Sequence, residues 1–410
     1  MSRVSTTTSR SIENQTHDYT YYRAVLAQHQ LPAAFIDLDH FAMNLERLRQ
    51  RAGNLPIRLV TKSVRSVEMI RRILAAGPFM QGLLCYSVGE AAWLASLGFD
   101  DIVVAYPSVE PVDIRAAAAQ LRCGHSITLM VDSIEQVIKI SRIAQAEDIV
   151  IPLAIDLDMS SAFPLLYFGV HRSPVHDVTT ALTLARKIAE QPGVALQGLM
   201  GYEGQIAGLM DDVPGERLKS AVIRHLKNKS IMQVNARRQA VVEALRQEGH
   251  VLRFVNGGGT GSFESTRQDP SVTELAAGSG LYAPTLFDHY RSFKVIPAAG
   301  FALPVTRIPK AGVVTCSGGG YIASGPMGKN RLPLPWLPTG CRLIANEAAG
   351  EVQTPVLHSP SISPATGDPI LFRHAKAGEL CERFNELLLI QDGRVIDTVR
   401  TYRGEGKSFF

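Results

Sequence analysis

The sequence predicts an α/β fold, a (β/α)8 TIM-type barrel followed by a C-terminal all-β domain. The first observation is the alternation of short apolar strands with helices of about ten residues or more, which is typical of parallel βα units. The second is the number of these units, about eight or nine within about 265 residues, which favours a closed barrel. The third is a change of composition near Val295, after which proline, glycine and β-branched residues predominate. An open doubly wound sheet stays the alternative, because the sequence carries no signal for closure.

Length and charge describe a globular protein of more than one domain. The chain has 410 residues, of which 46% are hydrophobic and 20% charged, so it can bury a large core. We expect an N-terminal arm at residues 1–30, a barrel at residues 31–295 and a β-domain at residues 296–410. The formal charge is +4, from 42 basic and 38 acidic residues, without a long basic tract. Nucleic acid is therefore not an expected partner.

The cysteines and the amino-terminal segment indicate a cellular location. The five cysteines are scattered and form no CxxC pair, which favours a reducing compartment over a disulfide framework. Residues 1–20 are polar and lack the apolar region of a signal peptide. No segment approaches the roughly 18 consecutive apolar residues of a membrane span. We therefore expect a cytoplasmic protein with no membrane partner.

Strands and helices follow in order along the first part of the chain. After a short helix that ends the arm, apolar and often β-branched runs predict strands at residues 32–37, 57–61, 82–86, 102–106, 126–131, 149–156, 196–201, 251–255 and 272–276. Apolar residues at helical spacing, such as Phe41, Leu45 and Leu48 after the candidate cap Asp39, predict the first helix of the series. Further helices are expected at residues 67–74, 89–97, 112–121, 134–144, 178–190 and 216–248.

The last part of the chain contains few helical patterns. An apolar run at residues 385–390 meets Asp392-Gly393, and a β-branched run at residues 395–399 follows. Asp-Gly between two such runs predicts a β-hairpin. This region is accordingly expected to form the all-β domain.

A lone lysine follows the predicted strand at residues 57–61. The stretch Ile-Arg-Leu-Val-Thr-Lys-Ser brings Lys62 to the carboxyl end of a strand, where α/β barrels carry their active sites. A lysine there loses solvation, and its amine becomes nucleophilic enough to form a Schiff base. A lysine that only extends its ammonium into water at the strand end is the alternative.

A glycine-rich segment follows a late strand of the barrel. Residues 256–262 read Asn-Gly-Gly-Gly-Thr-Gly-Ser, which matches neither a Walker loop nor the GxGxxG fingerprint. Consecutive glycines allow backbone N–H groups to converge on an anion, although a flexible loop is the alternative. Together, Lys62 and this segment could hold the aldehyde and the phosphate of pyridoxal 5'-phosphate.

Several segments, in the same order along the chain, resemble one enzyme family. They are Pro-Ala-Ala-Phe-Ile-Asp-Leu-Asp at 32–39, the lysine stretch, Leu-Met-Gly-Tyr-Glu-Gly at 199–204, Val-Asn-Gly-Gly-Gly-Thr-Gly at 255–261 and Glu-Leu-Ala-Ala-Gly-Ser at 274–279. This set resembles the D-threonine aldolase and D-serine dehydratase family, of the alanine-racemase-like fold type III of pyridoxal phosphate enzymes. The resemblance runs from about residue 30 to the carboxyl terminus. It implies a barrel that carries the cofactor, a β-domain and a homodimer.

The resemblance also implies roles for individual residues. Lys62 is expected to be the Schiff-base lysine, and Tyr202 is expected to lie beside the cofactor ring. Arg172 is a weaker candidate for a contact to the ring or a carboxylate, because Tyr167 and Phe168 stand where the family usually has an arginine. The residues expected to bind the phosphate are Gly258, Gly259, Thr260, Gly261, Gly278 and Ser279.

The family's metal site is only partly matched. It is typically a histidine followed two residues later by cysteine or aspartate, and here His374 is followed by Lys376. His374 is therefore expected to be a catalytic residue and a metal ligand, with Cys381 or Glu379 as the second ligand of a divalent ion (Mn, Mg or Zn). The alternative is that the metal is gone and that Lys376 serves in its place.

The implied activity is that of a pyridoxal phosphate lyase. Its substrate would be a small-molecule β-hydroxy D-amino acid, cleaved by a retro-aldol reaction or deaminated by dehydration. An amino-acid racemase is the alternative, and it would need a tyrosine base opposite Lys62. A non-catalytic pyridoxal phosphate carrier is disfavoured because such proteins resemble the barrel half only.

Overall fold

The alternation of strands and helices produces a barrel and a separate β-sheet. The structure, a computed structural model, describes residues 17–164 and 166–409. The strands are β1 Ala33–Asp37, β2 Ile57–Val60, β3 Met80–Cys85, β4 Ile102–Val104, β5 Ile127–Val131, β6 Ile151–Asp156, β7 Ser161–Phe163, β8 Leu166–Phe168, β9 Val194–Gly201, β10 Phe254–Gly257, β11 Glu274–Ala277, β12 Ala299–Lys310, β13 Val313–Ser317, β14 Leu334–Leu337, β15 Arg342–Leu343, β16 Gln353–Leu357, β17 Pro369–Arg373, β18 Glu386–Gln391 and β19 Arg394–Arg400.

Helices connect the strands of the first half. The α-helices are α1 Tyr19–Leu26, α2 Leu38–Ala52, α3 Val67–Leu74, α4 Val88–Ser96, α5 Pro111–Arg122, α6 Ile134–Ala146, α7 Val178–Glu190, α8 Gly204–Ala207, α9 Arg217–Gln247, α10 Phe263–Thr266 and α11 Ser279–Tyr282. The short 3-10 turns are Thr61–Ser63, Thr285–Phe287, Lys329–Arg331 and Glu379–Glu382. Most of the predicted N-terminal arm, residues 1–16, lies outside the described residues, and α1 is the short helix expected at its end.

The barrel is closed, as the number of βα units predicted. Its strands are parallel and follow the chain order β2, β3, β4, β5, β6, β9, β10 and β11. The pairing of β11 with β2, in which Leu275 lies beside Ile57, closes the ring. The (β/α)8 prediction is therefore confirmed, and the open sheet is excluded.

The second unit is a nine-stranded sheet, which confirms the mostly β character of the last part of the chain. Its main path runs β15-β16-β13-β12-β1-β18-β19, with β17 beside β12 and β14 beside β17. The hairpin between β18 and β19 turns at Asp392 and Gly393, both at positive φ, as the Asp-Gly pair predicted.

The first strand belongs to this sheet and not to the barrel, although the sequence analysis counted it with the barrel residues. Ala33 pairs with Ala302 of the antiparallel β12, and Ala34 pairs with Leu387 of the parallel β18. The sequence of an apolar strand does not indicate which strands it will pair with, so its pairing is decided by tertiary packing. The predicted boundary after residue 295 stays a prediction, but the sheet crosses it through β1.

The cap of α2 differs from the expectation. Asp37, rather than Asp39, is the N-cap, and its side chain accepts the N–H groups of Asp39 and His40. Asp39 lies in the first turn, where its charge suits the positive end of the helix dipole. The helix starts earlier because β1 ends at Asp37 and leaves no loop between the two elements.

Inside the barrel, apolar side chains from its strands pack together, from the small Ala276 to Met130 and the large Phe254. A buried ion pair between Arg58 and Glu274 lies among them, with Arg58 Nε 2.6 Å from the carboxylate. No helix in the described part of the chain is long and apolar enough to cross a membrane.

Candidate active site

A cavity of about 720 Å³ opens at the carboxyl ends of the barrel strands. Side chains of the barrel interior, among them Leu84, Met200 and Ala276, form part of its lining. Another part comes from the last third of the chain and includes Tyr321 and Lys376. The cavity therefore lies where parallel α/β barrels carry their active sites.

Lys62 projects into this cavity from the turn that directly follows β2. Its Nζ donates a hydrogen bond to the hydroxyl of Tyr106, which lies just beyond β4, at 2.9 Å. Burial alone would raise the pKa of Tyr106, but the charges of Lys62 and Arg172 outweigh it, and the pKa is lowered from its ordinary value. The phenol and the lysine amine therefore form a hydrogen-bonded pair inside the cavity.

Arg172 is held beside two tyrosines, Tyr106 and Tyr202. Its Nε donates to Oδ2 of Asp156 at 2.6 Å, and a terminal nitrogen donates to the carbonyl of Ala105 at 2.7 Å. The guanidinium carbon lies 4.8 Å from the ring centroid of Tyr106 and 5.8 Å from that of Tyr202. Burial raises the pKa of Asp156 to about 6, although the arginine opposes this. Asp156 thereby holds the guanidinium of Arg172 in a fixed position at the cavity wall.

The glycine-rich segment forms a narrow concave turn after β10. Gly258 has φ of 82°, a left-handed conformation that favours glycine. A Cβ on Gly259 would lie 3.1 Å from a ring carbon of Tyr202, and one on Gly261 would lie 2.2 Å from the carbonyl oxygen of Ala207. Among the described residues, the backbone N–H groups of Thr260 and Gly261 have no acceptor. These two donors are available to an anion.

A buried ionic network holds this turn in place. The carboxylate of Glu203 accepts the N–H of Gly258 at 2.9 Å, the hydroxyl of Thr266 at 2.7 Å and a nitrogen of Arg238 at 2.8 Å. Arg238 is fully buried and also pairs with Asp269 at 2.8 Å. No short sequence motif marks this network, because its members are far apart in the chain.

Gly278 and Ser279 border the cavity beside Lys62. A Cβ on Gly278 would lie 2.5 Å from the carbonyl oxygen of Val60, so only glycine permits this approach. The hydroxyl of Ser279 lies 3.2 Å from that of Ser63. The end of β11 and the lysine turn therefore pack directly on each other.

The predicted cofactor residues come together in one cavity. Its lining includes Lys62, Arg172, Tyr202, Gly258, Gly259, Thr260, Gly278 and Ser279. Gly261 lies just behind it, against Ala207. A primary amine, free N–H donors in a turn that a Cβ would fill, and an aromatic side chain fit the aldehyde, phosphate and ring of pyridoxal phosphate. The role of each residue stays a prediction.

The predicted metal ligands do not form a site in the same way. His374 and Cys381 are buried and lie outside the cavity lining. The thiol of Cys381 donates to the carbonyl of Val64 at 3.3 Å, and burial raises its pKa to about 12, so it stays protonated. Both ring nitrogens of His374 lack a hydrogen bond, and burial lowers its pKa to about 3. His374 alone has the character of a ligand, and the pair does not fit a metal.

One other group of possible ligands has a structural explanation. His17, Asp37 and His40 are the one set of three such residues that lie close enough together in the described part of the chain. Asp37 already accepts the hydroxyl of Tyr22 at 2.7 Å and lies 2.6 Å from Nδ1 of His17, besides capping α2. These contacts attach the segment before α1 to the sheet.

Three polar residues of the cavity, Tyr106, Ser324 and Arg331, were not assigned a role from the sequence, whereas Lys376 and Glu379 were named there as alternatives at the metal site. Tyr106 carries the same signal as Lys62, a polar residue at the end of a predicted strand. Ser324, Arg331 and Glu379 line the cavity from the loop before β14 and the turn before β18. No short-range pattern assigns such loop residues to a barrel mouth.

The chain is similar to two aldolases over about three fifths of its length. It is 26% identical to 3-hydroxy-D-aspartate aldolase of Paracoccus denitrificans (strain Pd 1222) over 253 residues, 61% of this chain and 59% of that protein. It is 26% identical to D-threonine aldolase of Arthrobacter sp over 261 residues, 62% of this chain and 61% of that protein. The match therefore spans about three fifths of the length of these relatives.

Solved structures extend the similarity in fold to nearly the whole chain. D-threonine aldolase from Filomicrobium marinum superposes with a TM-score of 0.78 at 21% identity, covering 92% of this chain and 96% of that one. D-threo-3-hydroxyaspartate dehydratase from Delftia sp. HT23 superposes with a TM-score of 0.74 at 22% identity, covering 92% of this chain and 98% of that one. Two solved variants of a dehydratase of that name replace a histidine and, two positions on, a cysteine by alanine, and the cysteine variant is in a metal-free form.

The family itself follows from a match over more than half of the chain. Residues 36–285 match the family described as alanine racemase, N-terminal domain. That span contains the barrel strands, the lysine turn and the glycine-rich segment described above. This protein is a member of the alanine racemase N-terminal domain family.

Proposed function

We propose that this protein is a pyridoxal phosphate-dependent lyase that acts on a β-hydroxy D-amino acid. The observation that carries the proposal is the convergence of Lys62 and the glycine-rich turn in one cavity at the carboxyl ends of the barrel strands. The reaction is either retro-aldol cleavage or dehydrative deamination. Aldolases and dehydratases of β-hydroxy D-amino acids among the relatives support this choice.

Each part of the cofactor has a matching part of the cavity. Lys62 would bond to the aldehyde, and the free N–H groups of Thr260 and Gly261 would face the phosphate. Tyr202 would lie against the ring, and Arg172 would supply a fixed charge beside it. Pyridoxal phosphate, when bound, accepts the electron pair of the bond broken at the substrate Cα.

The protein's own groups then decide which bond breaks. Lys62 would be the base that removes the proton from Cα in dehydrative deamination, once its amine is not bonded to the cofactor. Tyr106, at 2.9 Å from Nζ and with its lowered pKa, can relay that proton. Arg331 lines the cavity, and its Nε has no hydrogen-bond partner among the described residues, so it is a candidate for the substrate carboxylate.

Product analysis tests the proposal. The purified protein is incubated with pyridoxal phosphate and D-threonine, D-serine or the 3-hydroxy-D-aspartate diastereomers. Glycine with an aldehyde would identify an aldolase, whereas a keto acid with ammonia would identify a dehydratase. Inversion at Cα without cleavage would instead identify the racemase alternative and overturn the proposal.

The assembly and the location belong to the same proposal. A homodimer is proposed from the family resemblance, and sedimentation analysis showing an active monomer would contradict it. A cytoplasmic location is proposed from the five unpaired cysteines, two of which are exposed or partly exposed.

A further inference from the structure

Three side chains from the last third of the chain form a connected group at the cavity. Nζ of Lys376 donates to Oγ of Ser324 at 2.6 Å, and the same hydroxyl donates to the carboxylate of Glu379. The backbone N–H of Ser324 also donates to that carboxylate, at 3.1 Å. All three residues line the cavity. The ammonium of Lys376 is therefore oriented by Ser324, whose hydroxyl and backbone N–H both donate to Glu379.

This group is fixed directly against the reactive lysine. The turn that carries Lys376 and Glu379 contains Gly378, whose φ is 83°. A Cβ there would lie 1.8 Å from the carbonyl oxygen of Lys62. Since only a glycine can approach so closely, the backbone of the turn rests on the backbone of the lysine turn. Lys62 and Lys376 consequently line the same cavity.

The position of Lys376 in the chain bears on whether a divalent metal ion can bind here. It lies two residues after His374, the spacing at which the dehydratase variants replace a histidine and a cysteine. Cys381 is engaged with Val64 and does not line the cavity, so it does not supply the missing ligand. An ammonium at this spacing repels a dication.

We propose, on the basis of the function proposed above, that the ammonium of Lys376 supplies the positive charge at the substrate's β-oxygen without a divalent metal ion. Ser324 and Glu379 act as positioning residues for that ammonium. In retro-aldol cleavage the charge stabilises the oxygen as its proton passes to the free amine of Lys62 and the oxygen becomes that of the aldehyde. In dehydration it stabilises the oxygen as the Cβ–O bond breaks, and the ammonium donates the proton with which the hydroxyl leaves as water. A fixed cation acts in either case where negative charge develops.

The test begins with the metal content of the wild-type protein. The holoenzyme is purified without a metal-affinity step, analysed for divalent metals by plasma mass spectrometry, and assayed before and after exhaustive treatment with EDTA. We expect substoichiometric metal and an unchanged rate, with no gain on adding Mn²⁺. A stoichiometric metal whose removal abolishes activity would overturn the inference and leave the proposed lyase function intact.

Variants of Lys376 provide the second measurement. Lys376→Met is expected to lower kcat/KM for the β-hydroxy substrate by about 10²- to 10³-fold, and Lys376→Arg is expected to lose less. The exposed Lys310→Met serves as the matched control and should not change the rate. D-alanine lacks a β-oxygen, so its binding, followed by the cofactor spectrum, should be the same in wild type and Lys376→Met.

The two readouts separate the possible failures. Equal loss of D-alanine binding in Lys376→Met would mean that the residue only maintains the cavity, which would overturn its role at the β-oxygen. A wild-type protein that binds pyridoxal phosphate but forms no product from any β-hydroxy D-amino acid would overturn the lyase function, and this inference with it.

Discussion

Gly378 is a point where the last third of the chain contacts the backbone of Lys62, and replacing it by alanine should affect both stability and catalysis. Its φ of 83° costs a non-glycine residue about 1–2 kcal/mol. The new Cβ would also lie 1.8 Å from the carbonyl oxygen of Lys62, and such overpacking typically costs a further 1–3 kcal/mol, roughly. We expect Gly378→Ala to lose about 2–5 kcal/mol of unfolding free energy in total.

Gly312 provides a matched control in the same half of the chain. Its φ is 78°, but the nearest atom to an added Cβ is the carbonyl oxygen of His358 at 4.0 Å. Gly312→Ala should therefore lose only the conformational part, about 1–2 kcal/mol, and keep full activity. Urea unfolding and steady-state kinetics measure both variants, and Gly378→Ala should also lower kcat because the lysine turn must shift. Equal stability losses with unchanged kinetics would refute the contact.

Three further predictions concern Lys62, the glycine-rich turn and Glu90, a buried carboxyl in α4. Lys62→Ala should abolish turnover and the visible absorbance of covalently bound pyridoxal phosphate, whereas noncovalent cofactor binding with retained turnover would contradict its role. Glu203→Gln should weaken cofactor binding about tenfold, since the turn at Gly258 loses a charge-assisted acceptor, and fluorescence titration of the apoprotein measures this. Burial raises the pKa of Glu90 from 4.5 to about 7 in the folded protein. The stabilisation by the protonated carboxyl is therefore complete below pH 4.5 and is lost as the pH rises through 7. The free energy of unfolding should fall by about 3 kcal/mol over this range. Glu90→Gln should flatten that slope in urea unfolding from pH 5 to 8, and an unchanged slope would exclude this carboxyl as its source.

The sequence by itself determined the parts that depend on local pattern. Alternating apolar runs predicted the βα units, and α3 and α7 occur at the predicted residues because helical periodicity is read from neighbours in the chain. Lys62 and the glycine-rich turn were predicted to meet because the carboxyl ends of parallel strands lie at one end of a barrel. The hairpin at Asp392 and Gly393 follows from the conformations that these residue types tolerate.

Only the tertiary structure decided contacts between segments that are distant in the chain. The pairing of β1 with β12 and β18, rather than with the barrel, depends on which apolar edges remain to be covered. The same holds for the contact of Ser324 with Lys376 and Glu379, because Ser324 lies on a loop more than fifty residues before the turn that carries the other two. Loop side chains are positioned by the packing of whole units, as the approach of Gly378 to Lys62 illustrates. A charge at the mouth of the barrel is therefore a property of the fold and not of any single motif.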